Sequence, residues 1–318
     1  MRIASIAAVA ALSLFQGSVD GQAPRQGPPY RTRPGPWNND VVVHRVARDG
    51  GSVPLFTFAR AGVATVTRLS DGRLIAAHQH FPEDNDTDFD KVAVRFSSDE
   101  GATWTAAQVI RLSGLPADMR FPFDPTLVLL PDGRIRLYFT SVRRGVPGEL
   151  PAIYSAISTD GVTYAVEPGI RFSIDGRSVI DCAVALHNGV FHLFAPDNGP
   201  GLPPGPRPPG PGGAAPSPPA PPPGTGYHAT STDGLRFSRG DDVRIEGRRR
   251  WLGNAQSDAG RITFFGTGEP GLWTATSLDG IAWQLDPAPI RVPGADPGAV
   301  RLRDGAWLVV ATGPPRQR

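Results

Sequence analysis

Short apolar runs separated by turn residues recur along most of the chain. The runs at 126–130 and 135–140, for example, flank Pro131-Asp132-Gly133. Runs of this length, joined by a Gly-containing turn, are typical of two antiparallel strands in a β-hairpin. The pattern therefore predicts a series of hairpins, with further copies at 63–69 and 74–78, 179–186 and 191–195, 254–258 and 262–266, and 299–302 and 307–312.

A second recurring unit follows these hairpins and has the form Ser-x-Asp, then Gly, then an aromatic residue. Its four copies lie at 97–104, 158–164, 231–237 and 277–283, and a degenerate copy lies at 47–50. The Asp side chain of such a turn can accept hydrogen bonds from nearby backbone N–H groups, and Gly tolerates a positive φ. Each unit is predicted to be the tip of a hairpin, closed from below by its aromatic residue.

The two units together predict four antiparallel strands in every 40–60 residues or so, which is typical of a β-propeller blade. Inner strands are expected to begin near Ala64, Asp124, Asp181, Asn254 and Asp296, which gives five four-stranded blades in an all-β fold. Six blades remain possible if an irregular region hides one. The last unit has only two strands before the chain ends. The segments 41–46 and 53–58 are expected to complete this blade and so close the ring, which leaves no open sheet edge.

The N-terminal segment has the features of an export signal. A positive Met1-Arg2 precedes an apolar run at 3–15, and small residues follow at 17–23. The run is too short to span a bilayer, and no other stretch approaches that length. We expect residues 1–23 to be a signal peptide and 24–40 a flexible leader. A single propeller domain at 41–313 and a short tail at 314–318 follow. The mature protein is accordingly expected to be secreted or periplasmic.

A proline-rich segment interrupts the third blade between its second and third strands. Residues 199–226 contain 13 of the 35 prolines, interleaved with Gly and Ala. Such a composition cannot form a packed core and predicts an extended or disordered loop. Two interpretations stay open: an inert insertion, or a flexible rim beside a binding site.

Composition excludes several classes of function. The 38 glycines and 35 prolines argue against a helical bundle. Net charge is +2, from 32 basic and 30 acidic residues, and the arginines are scattered, so no nucleic-acid partner is implied. The single cysteine, Cys182, lies in an apolar run and rules out both an internal disulfide and a multi-cysteine metal site. We expect a monomer with no cofactor.

The segment Ser97-Ser98-Asp99-Glu100-Gly101-Ala102-Thr103-Trp104 resembles the Asp-box, or BNR repeat, of the sialidase superfamily. The other three copies match its shortened form, so the resemblance covers about residues 41–313 and implies a sialidase-like propeller. The pairs Asp124-Pro125 and Asp296-Pro297 give a second resemblance, to the five-bladed glycosidases of the arabinanase and fructosidase type, which begin inner strands with Asp-Pro. Both families are largely carbohydrate-active, so both imply a carbohydrate or glycoconjugate partner.

Candidate chemistry falls on the face that receives the loops of variable length, since function tends to lie in variable loops on a rigid scaffold. A glycosidase needs one carboxyl with a raised pKa as acid and one ionised carboxylate. Asp124, Asp181 and Glu269 are the candidate catalytic residues. Candidate substrate-binding residues on the same face are Arg120, Arg177, His80 and Asp296. Each also has a purely structural interpretation, such as turn capping for the aspartates before proline. The acidic loop 83–90 is a possible calcium site without the spacing of a known calcium loop.

Both resemblances leave a catalytic element unassigned. Sialidases use a tyrosine nucleophile, and no tyrosine here lies clearly at the start of an inner strand. The five-bladed glycosidases expect an Asp at the start of the first inner strand, where this sequence has Ala61-Gly62-Val63-Ala64.

The leading hypothesis is a secreted, sialidase-like glycoside hydrolase whose site lies in the funnel of the propeller. The alternative is a non-catalytic propeller that binds glycans or proteins. A third possibility is a lyase or another polysaccharide-active propeller with His80 as base. The hydrolase hypothesis expects the carboxyl oxygens of Asp124 and Asp181 to lie roughly 5–10 Å apart across a shared pocket.

Overall fold

The computed structural model of the protein describes residues 35–198, 222–269, 271–288 and 290–315. The proposed signal peptide, most of the proposed leader and most of the proline-rich segment lie outside the described residues, so those predictions stay as stated.

Five separate antiparallel sheets make up the fold, and a short 3₁₀ helix at Pro36–Asn38 is its only helix among the described residues. This confirms the prediction of an all-β, five-bladed propeller. In the first blade the strands are β3 (Ala61–Arg68), β4 (Leu74–His80), β5 (Lys91–Ser97) and β6 (Gln108–Val109). The second contains β8 (Phe123–Leu129), β9 (Ile135–Ser141), β10 (Ala152–Ser158) and β11 (Thr163–Phe172), with β7 (Arg111–Ser113) parallel to β11.

The remaining blades follow the same order from the axis outward. The third consists of β12 (Ala183–His187), β13 (Val190–Pro196), β14 (Thr225–Ser231) and β15 (Ser238–Arg239), with β16 (Val243–Arg244) also paired to β14. The fourth consists of β17 (Arg249–Asp258), β18 (Arg261–Gly268), β19 (Trp273–Ser277) and β20 (Gln284–Leu285).

The fifth blade contains both ends of the propeller. It places β21 (Ala295–Arg301) and β22 (Trp307–Thr312) beside β1 (Val41–Val46) and β2 (Ser52–Phe58) in the order β2-β1-β22-β21. The pairing of β1 with β22 is in register from Val41 opposite Thr312 to Val46 opposite Trp307. The prediction that N-terminal strands close the ring is therefore confirmed.

The hydrophobic core is divided among the five seams between neighbouring blades. Five clusters of buried apolar residues each draw members from two adjacent sheets. One of them joins Val43 and Leu308 of the fifth blade to Val66 and Leu74 of the first. This explains why the inner and second strands read as nearly continuous apolar runs, since a blade is covered on both faces.

The four Ser-x-Asp turns share one hydrogen-bond pattern. In the third blade the Ser231 hydroxyl accepts from the Gly234 N–H at 2.9 Å and donates to Asp233 Oδ1, which also accepts from the N–H groups of Leu235 and Arg236. These bonds hold the pKa of Asp233 well below its usual range. In the longer first turn Trp104 Nε1 donates to the Gly101 carbonyl at 3.0 Å. The turns therefore stabilise the ends of the blades on the face opposite the variable loops.

Candidate active site at the propeller axis

Each inner strand begins with a backbone distortion at an equivalent position. Asp124, Asp181, Asp296 and Val63 have φ values of 50°, 57°, 51° and 48°, and Gly253 has a φ of 148°. In four of the five blades the pairing of the inner strand with its neighbour shifts register at this point, as in a β-bulge. A non-glycine residue in the left-handed region costs roughly 1–3 kcal/mol and tends to occur at functional sites. The distorted backbone lets each of the five blades present one residue toward the axis.

Three of these five positions are aspartates, and they surround one narrow axial cavity. Asp124, Asp181 and Asp296 line it with residues of the first, second, third and fourth blades. The other lining residues are Val63, Ala64, Thr65, Pro125, Thr126, Cys182, Gly253 and Asn254. The cavity volume is ≈ 10 Å³, room for about one water molecule. A larger molecule would therefore have to bind at the mouth, above the carboxyl groups.

Threonine hydroxyls fix three of these positions across the blade seams. The Oγ1 atom of Thr140 in β9 accepts from the N–H of Asp181 at 3.3 Å, and that of Thr267 in β18 accepts from Asp296 at 2.7 Å. Thr312 in β22 accepts in the same way from Val63 at 3.0 Å. Val63, Asp181 and Asp296 are thus each held by the second strand of the preceding blade, which fixes the direction of the side chain.

Asp124 and Asp181 form a pair that shares a hydrogen bond between their carboxyl groups. Burial, then the charges of Asp181 and Asp296, raise the pKa of Asp124 well above its usual value, and the Thr140 hydroxyl offsets part of this rise. Burial also raises the pKa of Asp181 to about 6, against the lowering effects of Asp124 and Arg250. Two like charges this close cannot both ionise, so the pair holds one proton near neutral pH.

Asp296 is the third carboxyl and interacts with the pair through its charge. Burial and the Asp181 charge raise the pKa of Asp296, and the Arg250 guanidinium lowers it in part. Arg250 stands opposite Thr267 in the pairing of β17 with β18, and Thr267 holds the Asp296 backbone. The site therefore combines a shared proton, a separate carboxyl and a nearby cation.

This arrangement differs in one respect from the expected geometry. The pair at 124 and 181 is joined directly by a hydrogen bond, which is closer than the 5–10 Å expected of them. Acid and nucleophile, or acid and base, lie about 5–9.5 Å apart in most glycosidases. The pair can donate one proton as a unit, and a second catalytic carboxylate would have to come from Asp296.

The two arginines expected to bind substrate anions have carboxylate partners of their own. Arg120 donates to Asp90 Oδ2 at 2.7 Å, and its guanidinium lies 3.8 Å above the Phe123 ring. Arg177 is bound to Asp197 at 2.9 Å. Their positive charges are neutralised within the protein, and a substrate-binding role for them stays a prediction.

Glu269 and His80 lie apart from the axial carboxyls in the described residues. The Glu269 side chain is 73% exposed and forms an ion pair with Arg248 at 3.6 Å. The His80 ring lies 6.0 Å from the ring of His78, and burial lowers its pKa, so it is neutral at pH 7. Neither residue lines the axial cavity. Their proposed roles in acid/base chemistry and binding stay predictions.

The acidic loop and the single cysteine show no sign of metal binding in the described part of the chain. Glu83 pairs with Arg60, Asp88 accepts from Asn85, and Asp90 accepts from Gln79 and Arg120. No group of three metal-ligating side chains in the described ranges is placed to hold an ion. Cys182 is buried, and burial raises the pKa of its thiol, so it is unreactive.

Two contributors to the site, Arg250 and Thr140, were not among the residues predicted from the sequence. Arg250 falls in the run Arg248–Arg250, which looks like an ordinary charged surface, and Thr140 ends a strand of otherwise apolar character. The signal for Thr140 was the recurrence of threonine near the end of the second strand, at 140, 267 and 312. Nothing comparable marks Arg250, because its neighbours come from another blade.

Replacing Asp181 by Asn should change the pH dependence of stability. An unfolded Asp has a pKa near 3.9, whereas folding raises the pKa of Asp181 to about 6. Its contribution is therefore fully present below about pH 4 and is lost as the pH rises through 6. We expect the free energy of unfolding of Asp181→Asn, relative to the natural chain, to increase by on the order of 2 kcal/mol between pH 4 and 7.

The measurement is urea unfolding of both proteins at several pH values. Only the difference between the two curves is diagnostic, because burial lowers the pKa of His78 to about 3 and that of His228 to about 4. These histidines make both proteins gain stability as the pH rises toward 6.5. A difference that does not vary with pH would show that Asp181 titrates normally.

Comparisons with known proteins find similarity in structure alone. No protein-family model and no curated protein matches the chain. A GH32 β-fructofuranosidase of Bombyx mori shares 12% identity, with a TM-score of 0.54 over 79% of this chain and 54% of that one. An endo-1,4-β-xylanase of Bacteroides thetaiotaomicron shares 11%, with a TM-score of 0.52 over 79% and 84% of the two chains. A GH43_1 enzyme of Xanthomonas citri, complexed with xylotriose, shares 17%, with a TM-score of 0.51 over 82% and 89%.

At identities of 11–17% these likenesses establish the fold and not the activity. They support the resemblance to five-bladed glycosidases that the Asp-Pro pairs indicated, whereas the sialidase assignment is not confirmed by them. Among the described residues, no helix is long and apolar enough to cross a membrane.

Proposed function

We propose that the protein is a glycoside hydrolase of the five-bladed propeller type, acting at the mouth of the axial cavity. The observation that carries this proposal is the carboxyl pair Asp124–Asp181, which keeps one proton near neutral pH beside a third carboxyl, Asp296. Groups with raised pKa values that meet in one cavity are typical of acid/base catalysis. The fold shared with GH32 and GH43 enzymes makes a carbohydrate the substrate class to test first.

The proposed reaction uses each carboxyl once. The Asp124–Asp181 pair donates its proton to the glycosidic oxygen as the bond to the anomeric carbon breaks. Asp296, when ionised, accepts a proton from a water molecule whose oxygen bonds to that carbon. A proton then returns from Asp296 to the pair through solvent. The net change is one glycosidic bond and one water consumed, with two hydroxyl-bearing products released.

Exo-sialidase chemistry is a weaker form of this proposal. Sialidases use a tyrosine nucleophile, and the candidate Tyr227 lies beside Asp197 and Arg177. Burial and Asp197 raise the pKa of Tyr227 to about 12, whereas a nucleophile needs a lowered pKa or an adjacent base. Tyr227 also lies outside the lining of the axial cavity.

A non-catalytic glycan-binding propeller is the second candidate, and two observations favour it. The first blade has Val63 where the five-bladed glycosidases are expected to have an aspartate. The cavity of ≈ 10 Å³ also admits no sugar ring. In this case the carboxyls would bind hydroxyl groups at the mouth. Secretion or export to the periplasm is part of either proposal and rests on the sequence of residues 1–23.

The test is a hydrolysis screen of the purified chain on aryl glycosides, including furanosides, xylosides, galactosides and a sialoside. Turnover of at least one substrate that disappears in Asp124→Asn supports the hydrolase proposal. Binding without turnover, measured by calorimetry on the matching oligosaccharides, supports the second candidate. Cleavage of the sialoside alone would restore the sialidase form.

A further inference from the structure

Arg250 is a basic side chain whose charge acts on the axial carboxyl groups. It lies near the start of β17, three residues before the cavity-lining Gly253, where the pairing of β17 with β18 shifts register. Its strand partner Thr267 holds the backbone of Asp296. Its positive charge also stabilises the ionised forms of Asp181 and Asp296. Two independent relationships, one of strand register and one of charge, therefore place Arg250 beside the mouth.

Three other arginines of this face differ from Arg250 in how their charge is used. Arg177, Arg120 and Arg248 each have a carboxylate partner, namely Asp197, Asp90 and Glu269. Arg250 donates its Nη2 to the neutral side-chain amide of Asn198 at 2.5 Å. In the described ranges no carboxylate oxygen lies within 4.0 Å of a nitrogen of Arg250, the distance that defines an ion pair. Its cation thus remains uncompensated by a direct ionic contact.

The charge state of the axial carboxyls makes this cation available to a ligand. Burial raises the pKa values of Asp124 and Asp181, and the Asp181 charge raises that of Asp124 further, which reduces the negative charge that the pair presents to Arg250 near neutral pH. Arg250 is also an exposed residue, so a ligand can reach it from solvent. An arginine in this state binds a carboxylate or a sulfate through paired N–H donors, which a sugar hydroxyl group cannot match.

We propose that Arg250 makes the mouth of this propeller selective for anionic sugars, whose carboxylate or sulfate ester it binds while the adjacent glycosidic bond faces the Asp124–Asp181 pair. The part of this inference that concerns the glycosidic bond rests on the proposed function. The part that concerns binding of the anion rests on the position of Arg250 alone. Asn198 fixes the guanidinium from the third blade, and β17 fixes it from the fourth. The probes of the test distinguish a carboxylate from a sulfate ester as the bound anion.

The test measures binding in the background of Asp124→Asn, which is expected to suppress turnover so that binding alone is measured. The probes are uronic acid oligosaccharides, the same oligosaccharides with their carboxylates methyl-esterified, and neutral galactosides with and without a 6-sulfate. Isothermal titration calorimetry gives the dissociation constants. We expect at least one acidic or sulfated probe to bind about tenfold or more tightly than its neutral counterpart.

Two further substitutions locate the effect. Arg250→Gln should reduce this preference to less than about threefold, whereas Arg250→Lys should keep part of it, since lysine retains the charge without the paired donors. Arg248→Gln is the matched control, because it removes the same charge two residues away on the same exposed segment and should keep the full preference. Thermal melting of each variant confirms that the chain is folded before binding is compared.

The outcomes separate this inference from the proposed function. Equal binding of charged and neutral probes, or equal loss of preference in Arg250→Gln and Arg248→Gln, would overturn the role of Arg250 even if a neutral glycoside is hydrolysed. A preference that depends on Arg250, with no hydrolysis of any substrate by the natural chain, would uphold the role and sink the hydrolase proposal. Failure of all sugars both to bind and to be cleaved would overturn both.

Discussion

Asp181→Asn is expected to lower kcat on any hydrolysed glycoside by about a thousandfold, the effect typical of removing a general acid or base. Asn cannot carry the proton that Asp124 and Asp181 share, so the pair would lose its ability to donate and regain it. Asp124→Asn should have a similar effect, and the double variant should be little worse than either single one. Residues that act as a unit are strongly non-additive, and steady-state kinetics on the three variants measures this directly.

The control for this result is Asp175→Asn, which makes the same chemical change on an exposed loop before the third blade. It should keep kcat within about twofold, as expected of an exposed surface substitution. Glu269→Gln is informative in its own right, because it tests the role in catalysis that the sequence suggested. Retention of full activity in Asp181→Asn would remove the pair from the mechanism. The variant would then keep its activity although its stability relative to the natural chain is expected to rise between pH 4 and 7.

Gly298→Ala is expected to destabilise the fold by about 2 kcal/mol and to lower Tm by about 4–8 °C. Gly298 lies in β21, where the fifth blade meets the first. An added Cβ would lie 2.5 Å from the Ala64 carbonyl oxygen, 2.8 Å from Thr65 Cα and 2.8 Å from a methyl group of Val310. Two of these atoms belong to the backbone of β3, so the inner strands of the two blades would have to separate. Differential scanning calorimetry gives the change in Tm.

Gly62→Ala is the matched control on the other side of the same seam. The nearest atom to its added Cβ is a ring carbon of Phe81 at 3.6 Å, an ordinary van der Waals contact. Neither glycine has a positive φ, so backbone strain does not enter the comparison. Gly62→Ala should melt within about 2 °C of the natural chain, since its effect is limited to unfolded-state entropy. Equal melting temperatures for the two variants would show that the seam is loosely packed.

The fold could be predicted from sequence because its determinants are local and repeat. Each Ser-x-Asp turn contains its own hydrogen bonds, and each hairpin contains its own turn residues, so four copies of a weak signal became a strong one. Ring closure also followed, because a last unit with two strands needs two more. The extra strand β7, parallel to β11 at the edge of the second blade, was not predicted. Three residues without a hairpin partner carry no local signal.

The site was predictable only where it depended on the repeat. Asp124, Asp181 and Asp296 occupy equivalent positions at the start of inner strands, and the ring brings such positions together. The hydrogen bond between Asp124 and Asp181 and the raised pKa values of the three aspartates could not be derived from the sequence, since both depend on distances across the axis. Arg120 and Arg177 were chosen by their spacing from the aspartates along the chain. Their partners Asp90 and Asp197 come from the loops that follow β4 and β13, which spacing does not reveal.

The composite fifth blade has a consequence for how the molecule is made. Strand β1 leaves the ribosome early and must wait for β22, its partner, until nearly the whole chain has been synthesised. During that interval the nascent protein has two unpaired edges, and each would fit the opposite end of a second molecule. A shortage of chaperones would favour exchange of these strands between molecules. Swapped dimers and longer chains are the assembly errors to which this architecture is most exposed.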